Sequence, residues 1–556
     1  MTSTATPLQR LQQLIRIERE DIGTLIAYGV GIGLMSLATP VAVQALVNTI
    51  AFGALFQPLL VLTLILLVLV AFSNLLIGLQ FYVVEMLQRR LFVRFFDHAA
   101  ARLKQAHVSS REHYYLPELA NRFLDVATLQ KTASVLLLET LGYVLQTVIG
   151  MILLAFYHPL LLAFDLFLIA ALWGILFVMG KNGLTTAIEQ SKAKYAAQAW
   201  LENIAANPLL GKTSSGSAFL SGRTDQLARA YLDACTRHFR VLARQNTGAL
   251  VLHTLANTLL LGMGGWMVIN YQLSLGQLIA AELVVSAMIY GLTRLGKTLE
   301  SVYEVLTSID KIGHLLDIPQ ESGQGIAPET ATGPYRIDMY RVTLPENPNQ
   351  DPLRGLELHL LPGERLVLTD GADRGTLLDV LFGLKTPAEG YVCLNHQDLR
   401  DMNLGQLRDS IHLVRDAEII EASILDNVRL GRGLDLTKLR EILAQIGLLD
   451  TVAALPEGFH TRLLPDGTPL TREQCLRLTL ARAIAGRPCL LLLDGVFDRI
   501  DPRHLPGLLD ALLAAEAPWT LVATSRHPEV IARFERRAMV REGALTETDA
   551  TRPGAV

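Results

Sequence analysis

A chain of 556 residues, 51% hydrophobic and only 18% charged, has room for several domains and carries too little charge for an ordinary soluble protein of that size. The net charge of -4, with no basic stripe dominating either half, argues against a nucleic-acid partner. Cys235, Cys393, Cys475 and Cys489 form no CxxC pair and no metal-ligand spacing, so free thiols are expected and neither a disulfide framework nor a zinc site.

Residues 1–20 contain PLQRLQQLIRIERE, which sets Leu8, Leu11, Leu14 and Ile15 on one helical face and Arg10, Arg16 and Arg19 largely elsewhere. Such a basic amphipathic helix suits a membrane interface. No short apolar core with an A-x-A cleavage site precedes it, so no signal peptide is expected. Residues 21–318 then carry six apolar stretches, about 22–52, 58–84, 134–157, 159–179, 247–271 and 275–305. Each can cross a hydrocarbon core of about 30 Å at about 1.5 Å per residue. The short connections 51–57, 157–159 and 270–274 hold no Lys or Arg, whereas 85–133 and 180–246 hold many. Positive-inside bias therefore predicts a multi-pass protein of the cytoplasmic (inner) membrane with both termini in the cytoplasm.

The two long connections are rich in helix formers and too long for simple linkers. Within the second, Ala206 to Thr213 misses a phosphate-loop pattern by one residue, but its flanks are helical and no strand leads into it, so it reads as a Gly/Ser-rich turn. Among ionisable residues in or near spans, Glu139, Glu282, Arg294 and Lys297 read as interhelical or subunit pairs, with Arg294 and Lys297 near the cytoplasmic end of the last span, ahead of a place on a translocation path. Asp165, in LLLAFDLFLIAAL, admits two readings, a translocation path for a polar substrate or a pairing between helices.

Residues 319–334, rich in Gly and Pro, form a linker. Residues 335–545 then read as an α/β domain before a tail at 546–556. Within CLLLLDGVFDRIDP, from Cys489 to Pro502, four leucines ending in Asp494 read as a buried parallel strand that delivers the carboxylate to its C-terminal end, where open α/β sheets place ligands. LTREQCLRLTLARAIAGRP precedes it.

Six spans with two long cytoplasmic extensions, followed by these pieces in this order, resemble an ABC exporter half-transporter. The resemblance implies a multi-domain fold: an all-α six-helix transmembrane domain with long cytoplasmic extensions, and a C-terminal α/β ABC-type nucleotide-binding domain. Coupling helices would fall near 112–119 and 208–218. PVAVQALVN and LSLGQLIAAELVVS resemble the type I secretion branch, and no N-terminal peptidase-like domain is expected because the spans begin almost at once.

Set against the family's motifs, the chemistry departs. Leu368 and Asp373 stand at the two phosphate-loop glycines, Arg374 at the lysine and Gly375 at the Mg²⁺-binding hydroxyl. Roughly Glu346 stands where an aromatic would stack on adenine, and Arg415 replaces the glutamine that senses Mg²⁺ and water. The signature becomes Leu470, Thr471, Arg472, Glu473 and Gln474; Gly495 replaces the glutamate that polarises water, and Ser525 the switch histidine. Phosphoryl transfer depends on positioned charge, so losses at this many stations predict a domain that does not hydrolyse ATP on its own, with no catalytic residue assigned. ATP with Mg²⁺, held weakly through Gly371, Arg374, Thr376 and Asp494, is the ligand the resemblance leaves. It also implies a second half-transporter, identical or different, surrounding membrane lipid and a periplasmic adaptor as partners. Export of a peptide, protein or amphiphile follows from that reading, and a non-hydrolysing homodimeric scaffold or channel-like component of an envelope assembly is its alternative.

Overall fold

Long runs of Leu, Val, Ile and Phe cannot leave backbone N–H and C=O groups unpaired in lipid, and the first half of the chain meets that demand with helices. The computed structural model of the chain describes residues 6–51, 56–107, 116–321, 323–328, 333–344, 354–369, 374–541 and 544–548. The chain divides into two compact units, Met1–Gln320 and Glu321–Val556.

In the first unit, helix Pro7–Ile17 opens on a reciprocal cap between Thr6 and Gln9. Its apolar face is shared: Leu11 and Leu14 pack against Val305, Ile309 and Ile312, while Leu8, Ile15 and Ile17 stay exposed. Glu18 ends the helix and is buried, bound by Arg94 at 2.5 Å and Arg90 at 3.4 Å. The first expected span is broken at Leu37 into Arg19–Ser36 and Ala38–Ala51. Pro40 explains the break, because its ring cannot donate to Ser36 and clashes with that carbonyl.

Phe56–Lys104 runs 49 residues and Ser214–Ile269 runs 56. At about 1.5 Å per residue these are helices of about 75 and 85 Å, well beyond a bilayer's core. Leu64, Leu67, Val68 and Phe81 of the former are exposed, as lipid-facing residues should be. Five helices among the described residues are long and apolar enough to cross a membrane, and a shorter apolar helix, Leu275–Met288, carries the sixth expected stretch. That last stretch divides at Arg294 between Leu275–Thr293 and Leu295–Leu316. Arg294 donates to Tyr290 Oη at 2.9 Å and lies 3.8 Å from Glu139, the interhelical pairing expected of it. The near-miss phosphate loop is a single helical turn, Leu210–Lys212, after which Thr213 caps Ser214–Ile269 through Gly216 N at 3.1 Å.

Among its described residues the second unit carries two sheets. Strands β1 (Ile337–Thr343), β2 (Leu356–Leu360), β4 (Glu389–Leu394) and β5 (Gln397–Asp398) form an antiparallel sheet in the order β2-β1-β4-β5. Strands β3 (Arg365–Leu368), β6 (Ile411–Val414), β7 (Leu490–Asp494), β8 (Thr520–Thr524), β9 (Arg536–Arg541) and β10 (Ala544–Thr548) form the second, ordered β10-β9-β3-β8-β7-β6. β9, β3, β8, β7 and β6 run parallel, and the leucines of β7 are fully buried because both faces of such a sheet are covered. Leu368, Thr524 and Asp494 are in register and end three neighbouring strands at one edge.

Candidate nucleotide site

That edge is where an open α/β sheet places a ligand. Asp494 reaches it on β7, but its carboxylate is already occupied. Oδ1 accepts from Thr524 Oγ1 at 2.9 Å and Oδ2 from Arg415 Nε at 2.6 Å. Arg415 follows β6, and its Nη2 donates to Asp379 Oδ1 at 2.7 Å and to Gly375 O at 3.2 Å. Burial works against the guanidinium's charge, and the bonds to Asp379 and Asp494 outweigh it, so its pKa is pushed above the ordinary value. One arginine thus bridges two carboxylates at the C-terminal edge of the sheet.

Gly375, on helix Arg374–Leu381, closes that place from the other side. A Cβ there would stand 2.8 Å from Asp494 Oδ2 and 3.6 Å from Arg415 Nη2, so the serine or threonine of a metal site has no room beside this pair. Arg374, at the helix start, donates to Thr369 O at 2.9 Å, which turns it back onto the end of β3. Thr376 is buried, with Lys385 Nζ 3.5 Å from its hydroxyl. Leu368 is fully buried at the end of β3. Gly371, Asp373 and Glu346 lie outside the described residues, as do residues 112–115 of the first expected coupling segment.

Gly495 has φ +60°, donates from N to Thr524 Oγ1 at 2.7 Å, and has open space where a Cβ would be. Arg499 folds under it, donating to Gly495 O at 3.2 Å, Asp494 O at 3.3 Å and Asp416 Oδ1 at 2.7 Å. Ser525 donates to Asp498 Oδ1 at 2.6 Å, and Arg526 N donates to the same oxygen at 2.9 Å. A hydroxyl tied down in this way cannot replace the reach of a histidine ring.

The signature-position residues begin helix Arg472–Ala485. Thr471 and Gln474 cap each other through Gln474 N at 3.2 Å and Thr471 N at 2.9 Å. Glu473 is bound by the buried Arg477 at 2.8 Å, while Leu470 is buried. The Gln474 backbone donor, one of those a phosphate would meet at this helix start, is thus taken by the cap itself.

Sequence reasoning named Arg415 as a lost glutamine but missed what the arginine does. Asp379 was not singled out, and the only available signal was a carboxylate one helical turn after Gly375, visible only when paired with an arginine at 415. Asp165, in the first unit, is 3% exposed, and neither of its oxygens has a hydrogen-bond partner among the described residues.

Residues 353–497 match the family described as ABC transporter. A solved bacterial Atm1-family ABC exporter with ATP bound superposes with a TM-score of 0.84 over 96% of each chain, at 18% identity. Multidrug resistance protein 3 of Entamoeba histolytica is 27% identical over 254 residues, 44% of this chain and 19% of the relative. An ATM1-type heavy metal exporter of Novosphingobium aromaticivorans is 23% identical over 328 residues, 58% of this chain and 54% of the relative. The chain thus spans about half or less of the curated relatives it matches. It has the fold of an ABC exporter, a helical membrane region of several spans joined to a C-terminal α/β nucleotide-binding domain.

Proposed function

We propose that the chain is an ABC exporter-type transport subunit whose nucleotide-binding domain does not hydrolyse ATP, and which works beside a second half-transporter that does. The observation that carries this reading is the Arg415–Asp494–Asp379 cluster, a guanidinium standing where Mg²⁺ would bridge protein and phosphates. A cation fixed by two carboxylates has neither the charge nor the open coordination positions to hold a triphosphate and its attacking water. Gly495 adds a missing base, and Gly375 a missing metal ligand. Asp494, Arg374 and Thr376 remain as a weak nucleotide-holding remnant, and Asp165 as the polar residue of a translocation path.

The relatives named above are a multidrug resistance protein and an ATM1-type heavy metal exporter. Their names support a small amphiphile as cargo, and the resemblance to the type I secretion branch extends the range to peptides and proteins, with a periplasmic adaptor. The setting is the cytoplasmic membrane, with both termini inside.

One observation favours the alternative of a non-hydrolysing homodimeric scaffold. The self-capped Thr471–Gln474 turn and the Glu473–Arg477 pair leave little to offer a partner's ATP site. Purification from native membranes with crosslinking discriminates the two. Recovery of an intact ATPase half in equal amount supports the asymmetric transporter, whereas a dimer of this chain alone supports the scaffold.

A further inference from the structure

Away from the sheet edge, the second unit holds a cleft of about 840 Å³, inside the size range of small-molecule sites. Its charges are uneven. Arg429, Arg432, Lys438 and Arg487 line it against Asp435 and Glu516. Asp435 is spent as the cap of helix Leu436–Gln445, accepting from Lys438 N at 2.6 Å, and Lys438 Nζ is paired with Glu441 at 2.8 Å. Among the described residues the guanidiniums of Arg429, Arg432 and Arg487 have no carboxylate partner, and Arg432 donates only to the backbone carbonyl of Arg482 at 3.2 Å. Arg429 Nε is buried with no hydrogen-bond partner among the described residues.

A buried guanidinium donor without an acceptor is costly, and three guanidiniums left to share one cleft repel each other. Their field is felt nearby. Burial chiefly, and then Arg432, hold the Arg482 and His412 pKa values below their ordinary ranges. What the arrangement lacks is an anion with several acceptor oxygens. Ala511, Ala514, Ala517, Pro518 and Ile442 also line the cleft and would take an uncharged remainder.

We propose that this cleft binds a small phosphate-bearing polyanion, of the diphosphate or triphosphate class, independently of the degenerate nucleotide site. Arginine suits such a ligand because its planar fork donates two parallel bonds to a phosphate. The chemistry is binding only, with no bond made or broken.

Titration calorimetry of the full chain in detergent, with inorganic pyrophosphate and no metal, tests this. The expected result is saturable binding at one site, weakened by added salt, and weakened about tenfold by Arg429→Gln or Arg487→Gln. Arg487 is exposed and holds no side-chain bond among the described residues, so its variant should fold even if the Arg429 variant does not. Arg374→Gln and Arg415→Gln should leave the binding unchanged. Absence of saturable binding, or loss in Arg374→Gln with both cleft variants unaffected, would overturn the proposal. ATP turnover by the chain would sink the reading of the sheet-edge site and leave this one standing.

Discussion

Arg415 concentrates the chemistry of the second unit into one side chain. Replacing it with Gln leaves Asp494 without its cation and Asp379 with Lys385 Nζ, 3.7 Å from its Oδ2, as the remaining counter-charge. With the arginine 37% exposed, a loss of about 2 kcal/mol in stability of the second unit is expected, less than a fully buried pair would cost. The same variant should bind Mn²⁺, which the parent should not, and paramagnetic resonance of the bound ion reads that gain. Asp165 is the converse case, a buried carboxylate with no partner among the described residues. Asp165→Leu should raise the thermal midpoint in nanodiscs, because replacing an unsatisfied polar group by an apolar one of similar size removes a desolvation cost of about 1–3 kcal/mol. A lowered midpoint would mean that the carboxylate is satisfied by something bound.

His412 makes a prediction about pH. Burial, and secondarily Arg432, lower its pKa from 6.5 to about 4. The unfolded chain takes up a proton near pH 6.5 that the folded one refuses, so its contribution is fully present above that pH and is lost as pH falls toward 4. The loss is at most about 3 kcal/mol. Urea unfolding read from Trp519, the one tryptophan of the second unit, with the other three changed to Phe, should show this slope, and His412→Gln should flatten it.

At the scale of elements, β7 and its turn show why single repairs should fail. Gly495→Glu restores the carboxylate, and the site has space for it, but φ +60° costs a side chain about 1–2 kcal/mol. On the proposed reading Arg415 still fills the metal's place, so turnover should remain at background in that variant; measurable phosphate release would contradict this. The helices and strands themselves were legible. Four leucines before Asp494 announced a parallel strand, and long apolar runs announced spans. The break at Leu37 was legible in principle through Pro40 but was read through as one span. The division at Arg294 was not foreseen, although the charge that pairs with Glu139 was. The docking of Leu11 and Leu14 on the helix ending at Leu316 could not be read, because an amphipathic face does not say whether lipid or protein covers it.

For the whole molecule, the order of pieces was enough to foresee the ABC exporter fold, because the topology repeats even where the motif residues differ. The candidate site was only half legible. Losses are visible as letters, but the proposed replacement of a metal by an internal cation depends on Arg415, Asp494 and the helix that carries Gly375 and Asp379 meeting from three places in the chain. That meeting is the centre of the account, and its most direct test is hydrolysis of Mg²⁺-ATP by the purified full chain alone, measured as phosphate release over many hours. The account predicts release no faster than in a protein-free control, with or without Asp494→Asn. Turnover by the parent chain that disappears in Asp494→Asn would contradict it, because Asp494 would then be free to hold a metal that Arg415 is argued to displace.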